Sequence, residues 1–101
     1  TGIVDVHAGE ISLGANYPNP FASVTQFSVT VPYAIDVDVT VYNLIGEKVK
    51  RLHSGRLPSG SRTLKWDGRL DDGSLAPSGV YLYELSTDNG FDETRRMVIV
   101  R

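Results

Sequence analysis

From Val24 to the last residue the chain alternates apolar and polar residues with a period of two, and turn residues interrupt it every few positions. That rhythm is the strongest constraint on the fold, because only a half-buried antiparallel strand puts successive side chains on opposite faces. Phe27, Val29 and Val31 share one face of the first long segment (24–31), against Ser28 and Thr30. Ile35, Val37, Val39 and Val41 repeat the pattern over 35–42. Further strands are predicted over 46–53, 61–66, 80–87 and 94–101, with a short one over 11–13. In 80–87 the inward residues are Tyr81, Tyr83 and Leu85. The facing of 94–101 stays open, because Met97, Val98, Ile99 and Val100 are apolar on both sides. Turn signals separate the segments at Pro32-Tyr33, Ile45-Gly46, Pro58-Ser59-Gly60, Asp67-Gly68, Asp72-Gly73, Pro77-Ser78-Gly79 and Asn89-Gly90. Asn-Gly between two strand patterns is the strongest short hairpin signal, and it joins the last two strands. No ten-residue window free of these breakers carries an apolar stripe of helical period. The expected architecture is all-β: an immunoglobulin-like antiparallel sandwich of about seven strands.

The segment Tyr17-Pro18-Asn19-Pro20-Phe21 cannot be regular structure. Two prolines around one asparagine remove two backbone donors and push the preceding residues toward extended geometry. The first ten residues are weakly patterned, so 1–10 reads as the remnant of a linker to an upstream domain and 11–101 as the sandwich. The chain opens on Thr1 without a methionine, which is expected of a piece of a longer polypeptide.

At 101 residues the chain makes one domain that buries roughly two-thirds of its unfolded surface. A charged fraction of 22% argues against disorder, and a net charge of −2 gives no reason to expect nucleic acid. No run approaches the roughly 18 apolar residues of a membrane-spanning helix. The absence of cysteine excludes disulfides and thiolate zinc sites.

Candidate chemical groups are few. His7 and His53 lack any paired spacing and read as surface or packing residues. No serine sits in G-x-S-x-G, and Ser59 is a turn residue. No catalytic residue and no cofactor is expected. The acidic loop Asp67-Gly68-Arg69-Leu70-Asp71-Asp72-Gly73-Ser74 offers oxygen ligands for calcium, but the alternate-acid spacing of an EF-hand is absent and Arg69 would oppose a cation, so a pair of tight Asp-Gly turns is the plainer reading. Lys48, Lys50, Arg51, His53 and Arg56 form either a solvated strand edge or a docking patch for an acidic partner. Trp66, Tyr81 and Tyr83 could stack on sugar rings if exposed together, or pack between sheets.

Several pieces, taken in order, resemble a known family. Leu13-Gly14-Ala15-Asn16-Tyr17-Pro18-Asn19-Pro20-Phe21 looks like the opening motif of the type A C-terminal sorting domain of the type IX (Por) secretion system. The similarity continues through 39–49, with Gly46 in its turn, then Leu64-Lys65-Trp66-Asp67-Gly68-Arg69, then Ala76-Pro77-Ser78-Gly79-Val80-Tyr81-Leu82-Tyr83, and closes with Thr94-Arg95-Arg96-Met97-Val98-Ile99-Val100-Arg101. The W-D-G-R and S-G-V-Y pieces also resemble the immunoglobulin-like domain of flagellar hook-capping proteins. The departures from the sorting family are Ala22-Ser23, where Asn-Pro is frequent, and Arg101, where lysine is common. The resemblance implies a non-catalytic C-terminal label, found in Bacteroidota and relatives. It would direct a covalently linked upstream cargo from the periplasm through an outer-membrane translocon, with shuttle proteins and a sortase as partners. The cargo, often a hydrolase, would end on the cell surface or outside the cell. The sortase would cut upstream, near or before residues 1–10. Export information is expected in Thr94 to Arg101, with Pro18, Asn19, Pro20, Phe21, Gly46, Trp66, Asp67, Gly68, Gly79 and Tyr81 as shape determinants. Arg95, Arg96 and Arg101 are expected to be the charges that the translocon reads. The alternatives are a carbohydrate-binding accessory module and a structural immunoglobulin-like spacer.

Overall fold

The alternating segments become seven strands in the computed structural model, which describes residues 10–101. They are β1 (Ser12–Leu13), β2 (Thr25–Val31), β3 (Ile35–Tyr42), β4 (Lys48–Leu57), β5 (Gly60–Trp66), β6 (Gly79–Thr87) and β7 (Asp92–Ile99). No helix occurs among the described residues. His7 and all but the last residue of the expected linker lie outside the described residues.

The strands form two antiparallel sheets, in the orders β1-β2-β5 and β4-β3-β6-β7. Face to face they make an immunoglobulin-like sandwich, because each sheet has one apolar face to bury. Phe27, Val29 and Val31 of β2 meet Val37, Val39 and Val41 of β3, Tyr81, Tyr83 and Leu85 of β6, and Met97 and Ile99 of β7, all buried. The ambiguous facing of the last strand is thereby settled: Met97 and Ile99 point in, Val98 and Val100 out. Phe27 and Tyr83 pack with ring centroids 4.5 Å apart across the two sheets.

Several strand boundaries differ from the sequence reading. β4 starts and ends later than 46–53, and its strict alternation fails because β3–β4 pairing shifts register between Val39 and Thr40 and again between Val41 and Tyr42. Each bulge inserts one residue and flips the facing of the residues beyond it. β5 and β6 each begin one residue early, on a glycine. β7 runs Asp92–Ile99 rather than 94–101, because its pairing with β6 starts at Ser86 opposite Asp92 and ends at Gly79 opposite Ile99.

The Pro-Asn-Pro segment is where the chain changes sheets. Tyr17 exchanges both backbone hydrogen bonds with Gln26 in the three-stranded sheet, at 2.8 and 3.1 Å. Four residues on, Phe21 N–H donates to Val98 O at 3.0 Å and Val100 N–H donates to Phe21 O at 2.9 Å, which adds Phe21 beside β7 in parallel. Between sheets an N–H would have no ladder partner, so proline costs nothing there. Both X–Pro bonds, Tyr17–Pro18 and Asn19–Pro20, are cis. Below the crossing, the buried Asn16 amide donates to Thr25 Oγ1 at 3.0 Å, and that hydroxyl donates to Pro18 O at 2.8 Å. A carbonyl that leaves the ladder is thus satisfied from inside.

Candidate functional site

The residues singled out at the end of the chain divide into three kinds by what their side chains touch. Arg101 is turned inward. Its guanidinium donates through Nη1 to Ala22 O at 2.8 Å, through Nη2 to Gly68 O and Ala76 O at 3.0 and 2.8 Å, and through Nε to Ala76 O at 3.1 Å. Its backbone N–H donates to Ser78 Oγ at 2.9 Å. One planar fork therefore ties the β1–β2 loop at Ala22 to the β5–β6 loop at Gly68 and Ala76. Gly68 permits this. Its φ is +72°, and a Cβ there would stand 2.8 Å from Arg101 Nη2.

Arg95 is also committed. Its Nε donates to Leu13 O at 2.6 Å and lies 3.7 Å from Glu93 Oε2, while Leu13 N–H donates to Glu93 Oε1 at 3.2 Å. The pair imitates a strand, giving the edge of β1 one donor and one acceptor across the sandwich. Arg96 is different. It is exposed, stands opposite Leu82, and has no ion-pair partner among the described residues.

The surroundings of Arg96 set the two outer faces apart. The solvent face of the three-stranded sheet is polar, carrying Gln26, Ser28, Thr30, Ser61, Thr63 and Lys65, with Thr30 and Ser61 hydroxyls 2.7 Å apart. On the solvent face of β6 and β7, Val80 stands opposite Val98 and Leu82 opposite Arg96, all three aliphatic residues only half-buried. Val100 continues that strip and is 57% exposed. Tyr42 extends the Leu82 row onto β3. Its phenol is held above the usual tyrosine range by burial first, then by the Glu84 carboxylate. An apolar strip around one unpaired arginine suits a protein partner better than solvent.

The motif residues behind this strip support it from within. Trp66 is sandwiched edge-on between Phe21 and Tyr81, with centroids 5.8 and 5.6 Å away, and its indole N–H donates to Arg69 O at 2.9 Å. Tyr81 donates its hydroxyl to Pro77 O at 2.8 Å and Tyr83 to Gly14 O at 2.7 Å. Burial raises both phenols, with Arg101 and Arg95 respectively opposing the rise. Asn19 Oδ1 accepts from Val98 N–H at 3.0 Å, the bond that ends the open part of β7's edge. Gly46, in the turn before β4, and Gly79, the first residue of β6, stand at φ 89° and 152°.

Two pairs of alternatives that the sequence left open are decided. Trp66, Tyr81 and Tyr83 are 1%, 6% and 0% exposed, so they form no sugar-stacking platform; the volume and apolar area of the rings draw them into the core. The acidic loop is a pair of turns: Asp67 Oδ1 accepts Arg69 N–H, and Asp72 Oδ1 accepts the N–H and hydroxyl of Ser74. The Ser74 hydroxyl in particular holds the Asp72 carboxyl below its usual range. Arg69 closes the loop on Gly73 O at 2.8 Å. The basic patch is partly spent as well, with Lys50 near Asp71, Arg51 near Asp38 and Arg56 near Asp36. His53 faces Gly55 O at 3.1 Å.

Sequence reasoning missed the Asn16–Thr25–Pro18 network and the inward turn of Arg101. The first left a signal in Asn16, set directly before the Tyr-Pro-Asn-Pro break. The second left none, because three carbonyl acceptors carry no side-chain signature.

The model of the FlgD Ig-like domain matches residues 15–90. The basal-body rod modification protein FlgD of Escherichia coli (strain K12) is 38% identical over 69 residues, covering 67% of this chain and 30% of that protein. The chain therefore spans under a third of the length of that relative. Among solved structures, dimeric latent PorU from Porphyromonas gingivalis superposes with a TM-score of 0.72 at 20% identity, over 90% of this chain and 9% of that one. FlgD from P. aeruginosa superposes with a TM-score of 0.59 at 28% identity, over 74% of this chain and 58% of that one.

Proposed function

The chain belongs to the FlgD Ig-like domain family, and from that premise we propose that it is a non-catalytic sandwich that labels an attached cargo for export by the type IX secretion route. The observation that carries this reading is the outer face of β6 and β7. Val80, Leu82 and Val98 surround Arg96 in the open, while Arg95 and Arg101 are drawn into internal bonds. A domain whose role was only to space its neighbours would gain nothing from an apolar strip on one sheet and a polar face on the other. In this account Arg96 is the charge that a translocon or shuttle protein reads, and Arg95 and Arg101 hold the strand that displays it. Trp66, Gly68 and Phe21 keep that strand in place from behind.

The test is a periplasmic reporter carrying residues 10–101 at its C-terminus, expressed in a host with the type IX machinery. The account predicts reporter at the surface or in the medium, and none there in a translocon-deficient strain. Equal release from both strains rejects it.

A second reading rests on the 38% identity to the E. coli rod modification protein. By it, the module is a scaffold piece of a flagellar assembly. Loss of motility on deleting the parent gene, with secretion intact, would select this reading over the first.

A further inference from the structure

The edge of β5 is open, and its backbone groups can be assigned. Gln26 exchanges bonds with Tyr17, and Ser28 O accepts from Gly14 N–H, so the even-numbered residues of β2 face β1. Thr25, Phe27, Val29 and Val31 therefore face β5, where they stand opposite Trp66, Leu64, Arg62 and Gly60. By alternation the N–H and C=O groups of Ser61, Thr63 and Lys65 point away from the sheet. None of them has a backbone or side-chain partner among the described residues.

Side chains give that edge a sign. Arg62 and Lys65 are exposed and have no ion-pair partner among the described residues. Lys65 and Val24 together divide two hollows. One is lined by Tyr17, Pro18 and Gln26, the other by Lys50, Leu52 and Trp66. Tyr17 and Val24 are 77% and 46% exposed, so the rim is apolar where the cations are not. The carboxylate that reaches these hollows is Asp67, and its Oδ1 is held by Arg69 N–H. The opposite lateral edge of the sandwich is covered in part, since Phe21 pairs beside the end of β7 and Glu93 and Arg95 cap Leu13. On the neighbouring β4 edge, Asp71 N–H bonds Val49 O and its Oδ1 accepts from Arg51 N–H. The other lateral edges are thus covered in part by the chain's own groups, and β5 is not.

We infer that β5 accepts an extended acidic segment of a partner protein as an added strand, antiparallel to Gly60–Trp66, with carboxylates on Lys65 and Arg62 and an aliphatic residue against Val24. Backbone pairing supplies the affinity and the cations supply the choice of partner. A second copy of this chain is disfavoured, because pairing β5 with itself doubles the cations along one short edge. This inference concerns a different edge from the export label and does not depend on it.

Because Lys65 and Arg62 lie three residues apart on opposite faces of β5, the probe is a synthetic peptide of β5's length with two glutamates three residues apart and valine and threonine at the other positions, titrated into the 15N-labelled domain. The expected result is a shift and slowed exchange of the Ser61, Thr63 and Lys65 amides. Lys65→Glu should weaken binding on the order of tenfold. Thr63→Pro removes an outward N–H without touching the β2 ladder, so it should abolish binding in a domain of unchanged fold. The same peptide N-methylated at alternate amides, which leaves the protein untouched, should not bind. Shifts that map elsewhere, equal binding of the methylated peptide, or no shift at millimolar peptide would overturn the inference.

Discussion

Replacing Arg101 tests whether a charge at the end of the chain is structural or displayed. Its guanidinium makes four hydrogen bonds to three carbonyls, of which those to Gly68 and Ala76 are partly buried and that to Ala22 is exposed. A bond from a charged donor contributes roughly 1.5–3 kcal/mol when buried, and much less where water competes. Arg101→Ala should therefore cost about 2–3 kcal/mol rather than the full sum, because the freed carbonyls can be hydrated. For a domain of this size that is a fall in Tm of roughly 10–20 °C. Lysine keeps the charge but not the fork, and cannot reach Ala22, Gly68 and Ala76 at once, so Arg101→Lys should still lose about 1–2 kcal/mol. Arg96→Ala, which removes an arginine with no ion-pair partner, should change stability by less than about 0.5 kcal/mol. Urea unfolding followed by Trp66 fluorescence reads all three, since that indole packs beside the clamp. If Arg101→Lys were as stable as the parent, or Arg96→Ala as damaged as Arg101→Ala, the division of the arginines into clamp and label would be wrong.

Other outcomes rest on the same contacts. Gly68→Ala should cost about 1–2 kcal/mol for a positive φ and displace Arg101, so its effect and that of Arg101→Ala should sum to more than the double variant loses in the same unfolding assay. Thr25→Val removes the hydroxyl that links Asn16 to Pro18 O, leaves the buried Asn16 amide only its long 3.4 Å bond to that carbonyl, and should lower stability by about 1–2 kcal/mol in thermal melts. Burial raises the phenols of Tyr81 and Tyr83 above the ordinary value of 10.0. The folded state then holds protons that the unfolded chain releases, so stability is full below about pH 10 and falls as pH rises toward the folded values. Tyr83→Phe should flatten that fall in melts taken across alkaline pH, and a slope unchanged by the substitution would count against it.

The sandwich could be read from the chain because its cause is local. Alternation in Thr25–Val31 and Ile35–Tyr42 fixes which face is buried, and the Asn89-Gly90 turn fixes the pairing of β6 with β7. The bulges opposite Thr40 and Tyr42 were not legible, since Lys48 to His53 alternates equally well in either register. The aromatic residues read two ways because type alone does not tell a core ring from a displayed one; the partners Phe21 and Arg69 decide it, and they come from other segments. The arginines were the least legible. Arg95, Arg96 and Arg101 look alike in sequence, and only the crossing of Leu13 and the gathering of three loop carbonyls separates two of them from the third.

The face of β6 and β7 can be tested while the fold is held constant. In a reporter fused to this domain, Leu82→Glu with Val98→Glu adds two carboxylates beside Arg96 without entering the core. The account predicts that this variant melts within a few degrees of the parent and strands the reporter in the periplasm. Export at the parental level by the folded double variant would contradict it.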